Sequence, residues 1–249
     1  MTRFKMTIGY HGGAYVGWQR QMEGISVQAV IEEVLQKIEG QKITIHAAGR
    51  TDSGVHAVGQ VISFDMMRHI APERLLRAVN YYLKPHLIVV LDCHIVPDDF
   101  HARFSAIRRD YLYRLLHRPS PPVLERGLVW HIPKKIDGVA MKNATYFLLG
   151  QHDFTSFRAN ACQAKSPIKK LDKAEVRMVG DEIEIFFSAR SFLHHQVRNM
   201  VGSLVEVGLK KRPMDDIKRI LIAKDRSVAG VTAPPHGLCL MKVYYDDAP

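Results

Sequence analysis

The sequence predicts an α+β protein made of two packed subdomains, each with helices on one side of a mainly antiparallel sheet. Segments with the alternation of strands are interspersed with segments of helical periodicity along the whole chain. The two halves, expected as residues 1–105 and 106–249, begin with similar orders of elements. No low-complexity segment or flexible linker separates them.

The first strand and the first helix have clear local signals. Residues 4–8 alternate apolar and polar side chains, as in a half-buried strand. Ser26 is suited to cap a helix and Gly40 is suited to end it. Between them lies an apolar stripe at helical spacing, made of Val27, Val30, Ile31, Val34, Leu35 and Ile38.

The rest of the first half predicts three more strands and a second helix. Residues 42–46 alternate, residues 58–64 are mostly apolar, and the two segments flank a short polar loop. A second helix is expected from Pro72, a residue suited to a first helical position, to about Asn80. The predicted order is therefore strand, helix, strand, strand, helix, strand.

The second half continues with the same kinds of element. The patterns predict, in order, a strand over 111–116, a helix over 137–149, a strand over 182–187, a helix over 197–208, a helix over 214–221 and a strand over 238–243.

Composition indicates a globular protein with a polyanionic partner. The chain of 249 residues is 47% hydrophobic and 24% charged, which suffices for a core without disulfides or metal ions. Lys and Arg number 35 against 25 Asp and Glu, so the formal charge is +10. Such an excess is typical of nucleic-acid binding, although charge alone also fits a basic protein without such a partner.

The cysteines and the apolar segments predict the cellular compartment of the protein. Cys93, Cys162 and Cys239 are far apart and lack C-x-x-C spacing, so neither a disulfide framework nor a cysteine zinc site is expected. The first ten residues resemble a strand rather than a signal peptide, and no apolar segment reaches membrane-spanning length. We therefore expect a cytoplasmic protein without membrane contact.

The most informative segment is the polar loop Gly49–His56, with the sequence G-R-T-D-S-G-V-H. It places an acid, a base and two hydroxyls between two glycines, in an interruption between two strands. An isolated T-D-S-G would be an ordinary turn, with Asp52 as a turn-capping residue. The density of reactive groups makes Asp52 a candidate for chemistry as well.

This loop resembles the catalytic motif of the pseudouridine synthases, in the form G-R-T-D-x-G-V-H of the tRNA pseudouridine synthase A branch. The resemblance covers almost the whole chain in order, and the family usually has Ala at Ser53 and often has Asp at His11. It continues through residues 17–21, 98–104, 153–158 and 194–202.

The resemblance implies a fold, a substrate and a reaction. In the family, two subdomains join their sheets across a central basic cleft that tRNA enters. Uridines 38, 39 and 40 of the anticodon stem-loop become pseudouridine, without a metal or an organic cofactor. The family acts as a homodimer, so we expect a homodimer here.

The resemblance also assigns roles to individual residues. Asp52 is expected to be the catalytic acid or nucleophile, and Arg50 to displace or hold the target nucleotide. Tyr111 is expected to stack on the target base, although neighbouring Tyr113 is a similar strand aromatic. Arg198 is expected to keep the catalytic acid ionised, and Leu238 to lie near the pocket.

Other interpretations of the same residues stay open. A non-catalytic tRNA-binding protein could keep this scaffold, although such a protein would be expected to lack the acid. A glycosidase-like hydrolase would need a second carboxylate, for which Asp98, Asp99 and Asp153 are the candidates. His194 and His195 invite a zinc interpretation, but adjacent helical residues do not share a face, so no metal site is predicted.

Overall fold

The computed structural model describes residues 1–246, which form ten strands and five α-helices. This mixture, with mostly antiparallel strand pairs, confirms the predicted α+β class. The strands are β1 (Thr2–Tyr10), β2 (His46–Ala47), β3 (His56–Met66), β4 (Ile88–Ile95), β5 (Ala106–Leu116), β6 (Trp130–His131), β7 (Gly150–Asp153), β8 (Ile168–Val179), β9 (Glu182–Ala189) and β10 (Leu238–Tyr245). The helices are α1 (Val27–Glu39), α2 (Pro72–Leu83), α3 (Gly138–Thr145), α4 (Gln196–Gly208) and α5 (Asp216–Ala223).

The chain folds into two compact units. Unit 1 comprises Met1–Ile107 together with the chain from Cys239 on, and unit 2 comprises Arg108–Leu238. The subdomains expected from the sequence, 1–105 and 106–249, place β10 with the second half instead. In the structure β10 pairs in parallel with the start of β3, and this pairing accounts for its place in unit 1.

In unit 1 the strands follow the order β4-β1-β3-β10, with β2 also on β3. β1 lies antiparallel to both β3 and β4. The short β2 pairs with Ile62 and Ser63, whereas β10 pairs with His56 and Ala57 nearer the start of β3. The loop between β2 and β3 therefore begins and ends on this sheet.

Helix α1 confirms the caps predicted from the sequence. The Ser26 side chain accepts a hydrogen bond from Ala29 N at 3.1 Å, which satisfies one of the exposed amides at the helix start. Gly40 has a φ of 87° and ends the helix in the left-handed region that glycine adopts without strain. Helix α2 begins at Pro72 as predicted and continues to Leu83, three residues beyond the expected end.

A partly exposed ion pair connects the neighbouring strands β1 and β3 of the unit 1 sheet. Arg3 on β1 lies directly across from Asp65 on β3. Its Nε and Nη2 atoms donate to the two carboxylate oxygens of Asp65, each at 2.8 Å. Arg3 also donates to the carbonyl groups of Asp98 and Phe100. The guanidinium hydrogen bonds hold the pKa of Asp65 below its ordinary value.

In unit 2 the strands follow the order β5-β9-β8-β7, all in antiparallel pairs, and β6 adds to β5 in parallel. Helix α3 packs against α4 and β8. The carboxylate of Asp137 caps α3 by accepting from Ala140 N at 2.9 Å. The predicted helix over 137–149 is shorter than expected, because α3 ends at Thr145 and continues as a 3₁₀ turn.

Several strands differ from the sequence-based expectation, since β6 and β7 were not predicted and β5 begins at Ala106 rather than Tyr111. The strand expected at 42–46 is limited to His46 and Ala47, because Ile43 and Ile45 are buried without forming ladder bonds of their own. The twelve-residue β8 was not predicted. Its exposed positions carry charges that pair with one another, as Lys173 and Arg177 do with Glu175.

Within residues 1–246, no helix combines the length and the apolar character needed to cross a membrane.

We predict that Asp65→Asn destabilises the protein at pH 7 by about 1 kcal/mol, because a partly exposed bidentate pair is lost. A carboxyl whose folded pKa is lowered contributes stability above its unfolded pKa, and that stability is lost as the pH falls. The difference in unfolding free energy should therefore shrink below about pH 4. Denaturant unfolding at pH 7 and pH 3 measures it.

The matched control is Asp172→Asn, which removes a more exposed acid lying 3.3 Å from Lys170. We expect no comparable change from this control at either pH. An Asp65→Asn deficit that is equally large at pH 3 would contradict the ionic explanation.

Candidate active site

The loop between β2 and β3, residues 48–55, is anchored where it leaves the sheet. Ala48 N donates to Val61 O at 2.8 Å, which extends the ladder by one bond beyond β2. The side chain of Gln60 is completely buried, and its Nε2 donates to Gly49 O at 2.7 Å. Its Oε1 accepts from Val61 N at 3.2 Å. A buried glutamine thus holds the backbone just before Arg50.

Thr51 fixes the middle of the loop. Its carbonyl accepts from Trp18 N at 3.0 Å, and its hydroxyl lies 2.7 Å from the hydroxyl of Tyr10. The Tyr10–Thr51 contact is buried, as are both residues. The flanking residues differ, because Arg50 is exposed and Asp52 is half-buried. Thr51 is therefore anchored in the interior, whereas its charged neighbours Arg50 and Asp52 are more accessible to solvent.

Asp52 begins a tight turn. Val55 N donates to Asp52 O at 3.1 Å, and Gly54 at the third turn position has a φ of 80°. This positive φ is typical of a type II turn and favours glycine there. The hydroxyl of Ser53 donates to Tyr15 O at 3.3 Å, a long contact from an exposed residue. The backbone of the turn is therefore defined by Gly54 more than by Ser53.

Two glycines of the N-terminal segment lie directly against this loop. A Cβ on Gly12 would stand 2.0 Å from Val55 O, and a Cβ on Gly17 would stand 3.0 Å from Thr51 O. Gly17 also has a φ of 110°, which strains any other residue. The distances leave no space for a side chain at Gly12. The loop is thus also held by backbone-to-backbone contact with the N-terminal segment.

Two histidines accompany the Gly12 contact. Gly12 N donates to His56 Nδ1 at 3.0 Å, so that nitrogen carries no proton in this arrangement. The rings of His11 and His56 lie 4.5 Å apart. Among residues 1–246, the buried His11 Nδ1 has no hydrogen-bond partner. His11, where the resembled family often has Asp, therefore packs beside the end of the loop.

In unit 2, Tyr111 and Tyr113 lie on the same face of β5, because they are two residues apart. Tyr113 is fully buried, and its hydroxyl donates to Pro234 O at 2.8 Å. Burial raises the pKa of its phenol, while the charge of Arg198 lowers it. The ring of Tyr111 meets Phe192 edge-on at 5.2 Å. Both tyrosines are thus buried, with 9% of Tyr111 and none of Tyr113 exposed.

Arg198 on α4 is positioned by a reciprocal pair of bonds with Ala233. Its Nε donates to Ala233 O at 2.8 Å, and Ala233 N donates to its carbonyl at 3.1 Å. The same segment approaches α4 closely at Gly202, where a Cβ would stand 1.7 Å from Val231 O. Leu238, the first residue of β10, is buried.

The predicted site residues thus fall into two groups. Arg50 and Asp52 share one loop of unit 1, whereas Tyr111, Arg198 and Leu238 belong to unit 2. Within the part of the chain that the structure describes, the exposed Arg50 guanidinium has no carboxylate at ion-pair distance. Its charge is therefore available to an anionic ligand such as a phosphate.

Comparison with known proteins identifies the family. A family model described as tRNA pseudouridine synthase matches residues 6–105 and 144–246. The chain belongs to the tRNA pseudouridine synthase family. This confirms the resemblance seen in the sequence.

The relatives match over nearly their whole length. The tRNA pseudouridine synthase A of Maricaulis maris is 50% identical over 98% of both chains. That of Rhodospirillum centenum is 49% identical over 98% of this chain and 100% of its own. A crystal structure of a protein provisionally named chlorite dismutase matches 88% of this chain and 100% of its own. Its 9% identity and TM-score of 0.22 are too low to indicate a shared fold.

His194 and His195 lie immediately before α4. The sequence argument assumed that His194 and His195 are helical, which is wrong, because α4 begins at Gln196. His195 has a φ of 61°, and the two rings lie 4.0 Å apart. Because His194 and His195 are not helical, the rule that adjacent helical residues point to different faces does not speak against a shared ligand. The absence of a metal site stays a prediction that rests on the family resemblance.

Of the carboxylates considered for a hydrolase, that of Asp153 is engaged with partners of its own. Asp153 accepts from Thr155 N at 3.0 Å and from Thr155 Oγ1 at 2.6 Å, and it lies 3.5 Å from Lys224. Burial alone would raise its pKa, but these donors hold the pKa below its ordinary value. Asp153 is thus engaged in capping a 3₁₀ turn. Asp98 contributes its backbone carbonyl to Arg3.

Sequence reasoning missed the residues that support the loop. Tyr10, Gly12 and Gln60 were not predicted to contact it. Gln60 had a visible signal, since it is the lone amide in the mostly apolar segment 58–64. Gly12 lies in a short 3₁₀ helix, and its contact with Val55 depends on the tertiary fold.

We predict that Gly12→Ala lowers pseudouridine formation in tRNA by more than about tenfold, which is about 1.4 kcal/mol of barrier. The added Cβ would overlap Val55 O, so the end of the loop must move. The measurement is single-turnover conversion with an unmodified tRNA, on a variant whose circular dichroism matches the wild type.

The control on the same loop is Ser53→Ala, which removes only a long hydrogen bond and adds no bulk. We expect it to stay within about tenfold of wild-type activity. A larger loss from Ser53→Ala than from Gly12→Ala would show that the hydroxyl, rather than loop shape, limits the reaction.

Proposed function

We propose that this chain converts uridines 38, 39 and 40 of the tRNA anticodon stem-loop into pseudouridine, with Asp52 as the catalytic residue. The observation that carries the proposal is the anchored loop in which Asp52 stands. Family membership supports the reaction, and the family motif matched in the sequence supports the assignment of the acid.

The reaction explains why a single carboxylate can suffice. The bond from N1 to the sugar C1′ breaks, the base turns over, and C5 bonds to C1′, while the proton on C5 is replaced by one on N1. Product and substrate are isomers, so no oxidant, reductant or energy source is consumed. A carboxylate can attack C1′, add to the base or remove a sugar proton, as in related glycosyl chemistry. Each route uses the half-buried Asp52 side chain.

The other predicted site residues are proposed to bind the substrate. Arg50 would contact a phosphate with its exposed guanidinium. Tyr111 would stack on the extruded base, and base–aromatic stacking contributes about 1–3 kcal/mol. That offsets the few kcal/mol needed to unstack a nucleotide from the stem-loop. Arg198 and Leu238 would complete the binding residues, as polar and apolar contacts respectively.

We also propose that the protein is a cytoplasmic homodimer. The family resemblance supports dimerisation, and the substrate class supports the compartment, because tRNA is modified where it is made and used. The spaced cysteines, none of which forms a disulfide in the structure, suit a reducing compartment.

We predict that Asp52→Asn abolishes pseudouridine formation, by at least about 10³-fold, and leaves tRNA binding within about threefold. The amide keeps the size of the side chain but cannot act as a nucleophile or base. Conversion of an unmodified tRNA carrying U38, U39 and U40 is measured in metal-free buffer, and binding is measured in parallel.

The control is Asp99→Asn, which removes an exposed acid outside the loop. It should leave both quantities unchanged. If the wild type binds tRNA but makes no pseudouridine, the chain is a binding protein on this scaffold and the proposed enzyme function is wrong. If Asp52→Asn remains active, another residue carries the chemistry.

We predict a particle of twice the chain mass of 28.3 kDa in sedimentation-velocity or light-scattering experiments at micromolar concentration. A closed two-fold arrangement is the commonest form of soluble oligomer. A single species at the monomer mass over the whole concentration range would contradict the homodimer.

A further inference from the structure

A short loop of unit 1, residues 101–105, presents an aromatic and a basic side chain to solvent. Phe104 is 70% exposed, and Arg103 beside it is exposed as well. A large apolar side chain with this exposure is not stabilised by the core of the chain.

The backbone of this loop is firmly held. Ala102 N donates to the hydroxyl of Ser63 at 3.1 Å, and the hydroxyl of Tyr245 donates to Ala102 O at 2.8 Å. Ser105 N donates to His101 O at 2.9 Å, and His101 N donates to Ser105 Oγ at 3.0 Å. Phe104 is thus exposed on a rigid loop rather than on a mobile one. A rigid aromatic loses little conformational entropy when a ligand binds.

Phe104 is the outer end of a column of rings. Its ring lies 4.4 Å from that of His101, which lies 4.7 Å from that of His46, with interplanar angles of 38° and 37°. The guanidinium of Arg103 lies 5.5 Å from the Phe104 centroid. His101 Nδ1 accepts from Arg103 N at 3.1 Å, and burial lowers the pKa of His101. The neutral imidazole of His101 therefore extends the aromatic surface from Phe104 to the exposed His46.

The charge around the column favours an anionic ligand. His46 and His101 line a cavity of 320 Å³ together with Lys42, Arg3 and Asp65. Arg3 and Asp65 neutralise each other. Lys42 is exposed and, within residues 1–246, has no carboxylate at ion-pair distance. Lys42 and Arg103 thus place positive charge beside the rings, while the exposed Asp98 and Asp99 precede the loop in the chain.

We propose that Phe104, backed by His101 and His46, is a stacking site for an unpaired base of the bound tRNA. Arg103 and Lys42 supply the positive charge for the adjoining phosphates. Aromatic rings interleaved with cations bind single-stranded nucleotides in this way, because every base has a flat face and every nucleotide a charge. The identity of the ligand as tRNA rests on the proposed function, whereas the stacking site rests on unit 1 alone.

The test compares Phe104→Ala, Phe104→Tyr and a matched control in the full-length protein. The control is Tyr146→Ala, which removes another aromatic that is 76% exposed. Binding of an anticodon stem-loop RNA is measured by fluorescence anisotropy at one fixed salt concentration. We expect Phe104→Ala to raise Kd by about tenfold, while Phe104→Tyr stays within about twofold and Tyr146→Ala is unchanged.

A second variant reports stacking directly. In Phe104→Trp, the new indole should be quenched when RNA is added, because a stacked base quenches tryptophan emission. The wild type, which has only Trp18 and Trp130, gives the background. The proposal would be overturned if Phe104→Ala bound the RNA as tightly as the wild type does. It would also be overturned if Phe104→Ala and Phe104→Tyr lost equal affinity for the RNA. Unquenched emission from a folded Phe104→Trp variant that binds RNA would also overturn it.

The outcome is separable from that of the proposed function. RNA binding does not require catalysis, so weaker binding by Phe104→Ala supports the stacking site even if the wild type makes no pseudouridine. Conversely, the wild type could convert uridine normally while Phe104→Ala binds the RNA with unchanged affinity. That result would overturn the stacking site and leave the proposed function standing.

Discussion

The structure of the candidate active site depends on backbone-to-backbone contact between the N-terminal segment and the Asp52 loop. At Gly12 a Cβ would stand 2.0 Å from Val55 O, which is far inside van der Waals contact. Such proximity is available only to glycine. It couples the shape of the loop to a segment 43 positions earlier in the chain. The loop therefore takes its shape from the assembled unit rather than from its own sequence.

The remaining anchors satisfy the polar groups of the loop backbone. A buried carbonyl without a donor costs about 1–3 kcal/mol, so the partners of Gly49 and Thr51 restrict the loop to few conformations. These partners, the Gln60 amide and Trp18 N, are themselves buried. Because the anchors act on the backbone and on Thr51, they position the side chains of Arg50 and Asp52 through the loop backbone. This is the arrangement expected of a preorganised site.

Local signals predicted what is local, and failed where distant parts of the chain decide. Ser26 and Gly40 predicted both ends of α1, because capping involves only neighbouring residues. The eight residues Gly49–His56 predicted the loop and its candidate acid. The support at Gly12 could not be predicted, since it needs the tertiary contact of the N-terminal segment with Val55. β8 was missed although it is locally encoded, because residues 173–178 alternate charged and apolar side chains as a half-buried strand does.

The net charge of +10 indicates the sign of the ligand but not where it binds. Several arginines are neutralised within their own unit, as Arg114 is by Glu182 and Arg212 is by Glu206 and Asp216. These side chains stabilise the fold and contribute little to attracting a phosphate. The charge that can attract RNA must come from residues such as Arg50, whose guanidinium is exposed and has no carboxylate partner within residues 1–246. Arg50 precedes Asp52 by two positions on an anchored loop. Positioning the acid therefore also positions the cation that would hold its substrate.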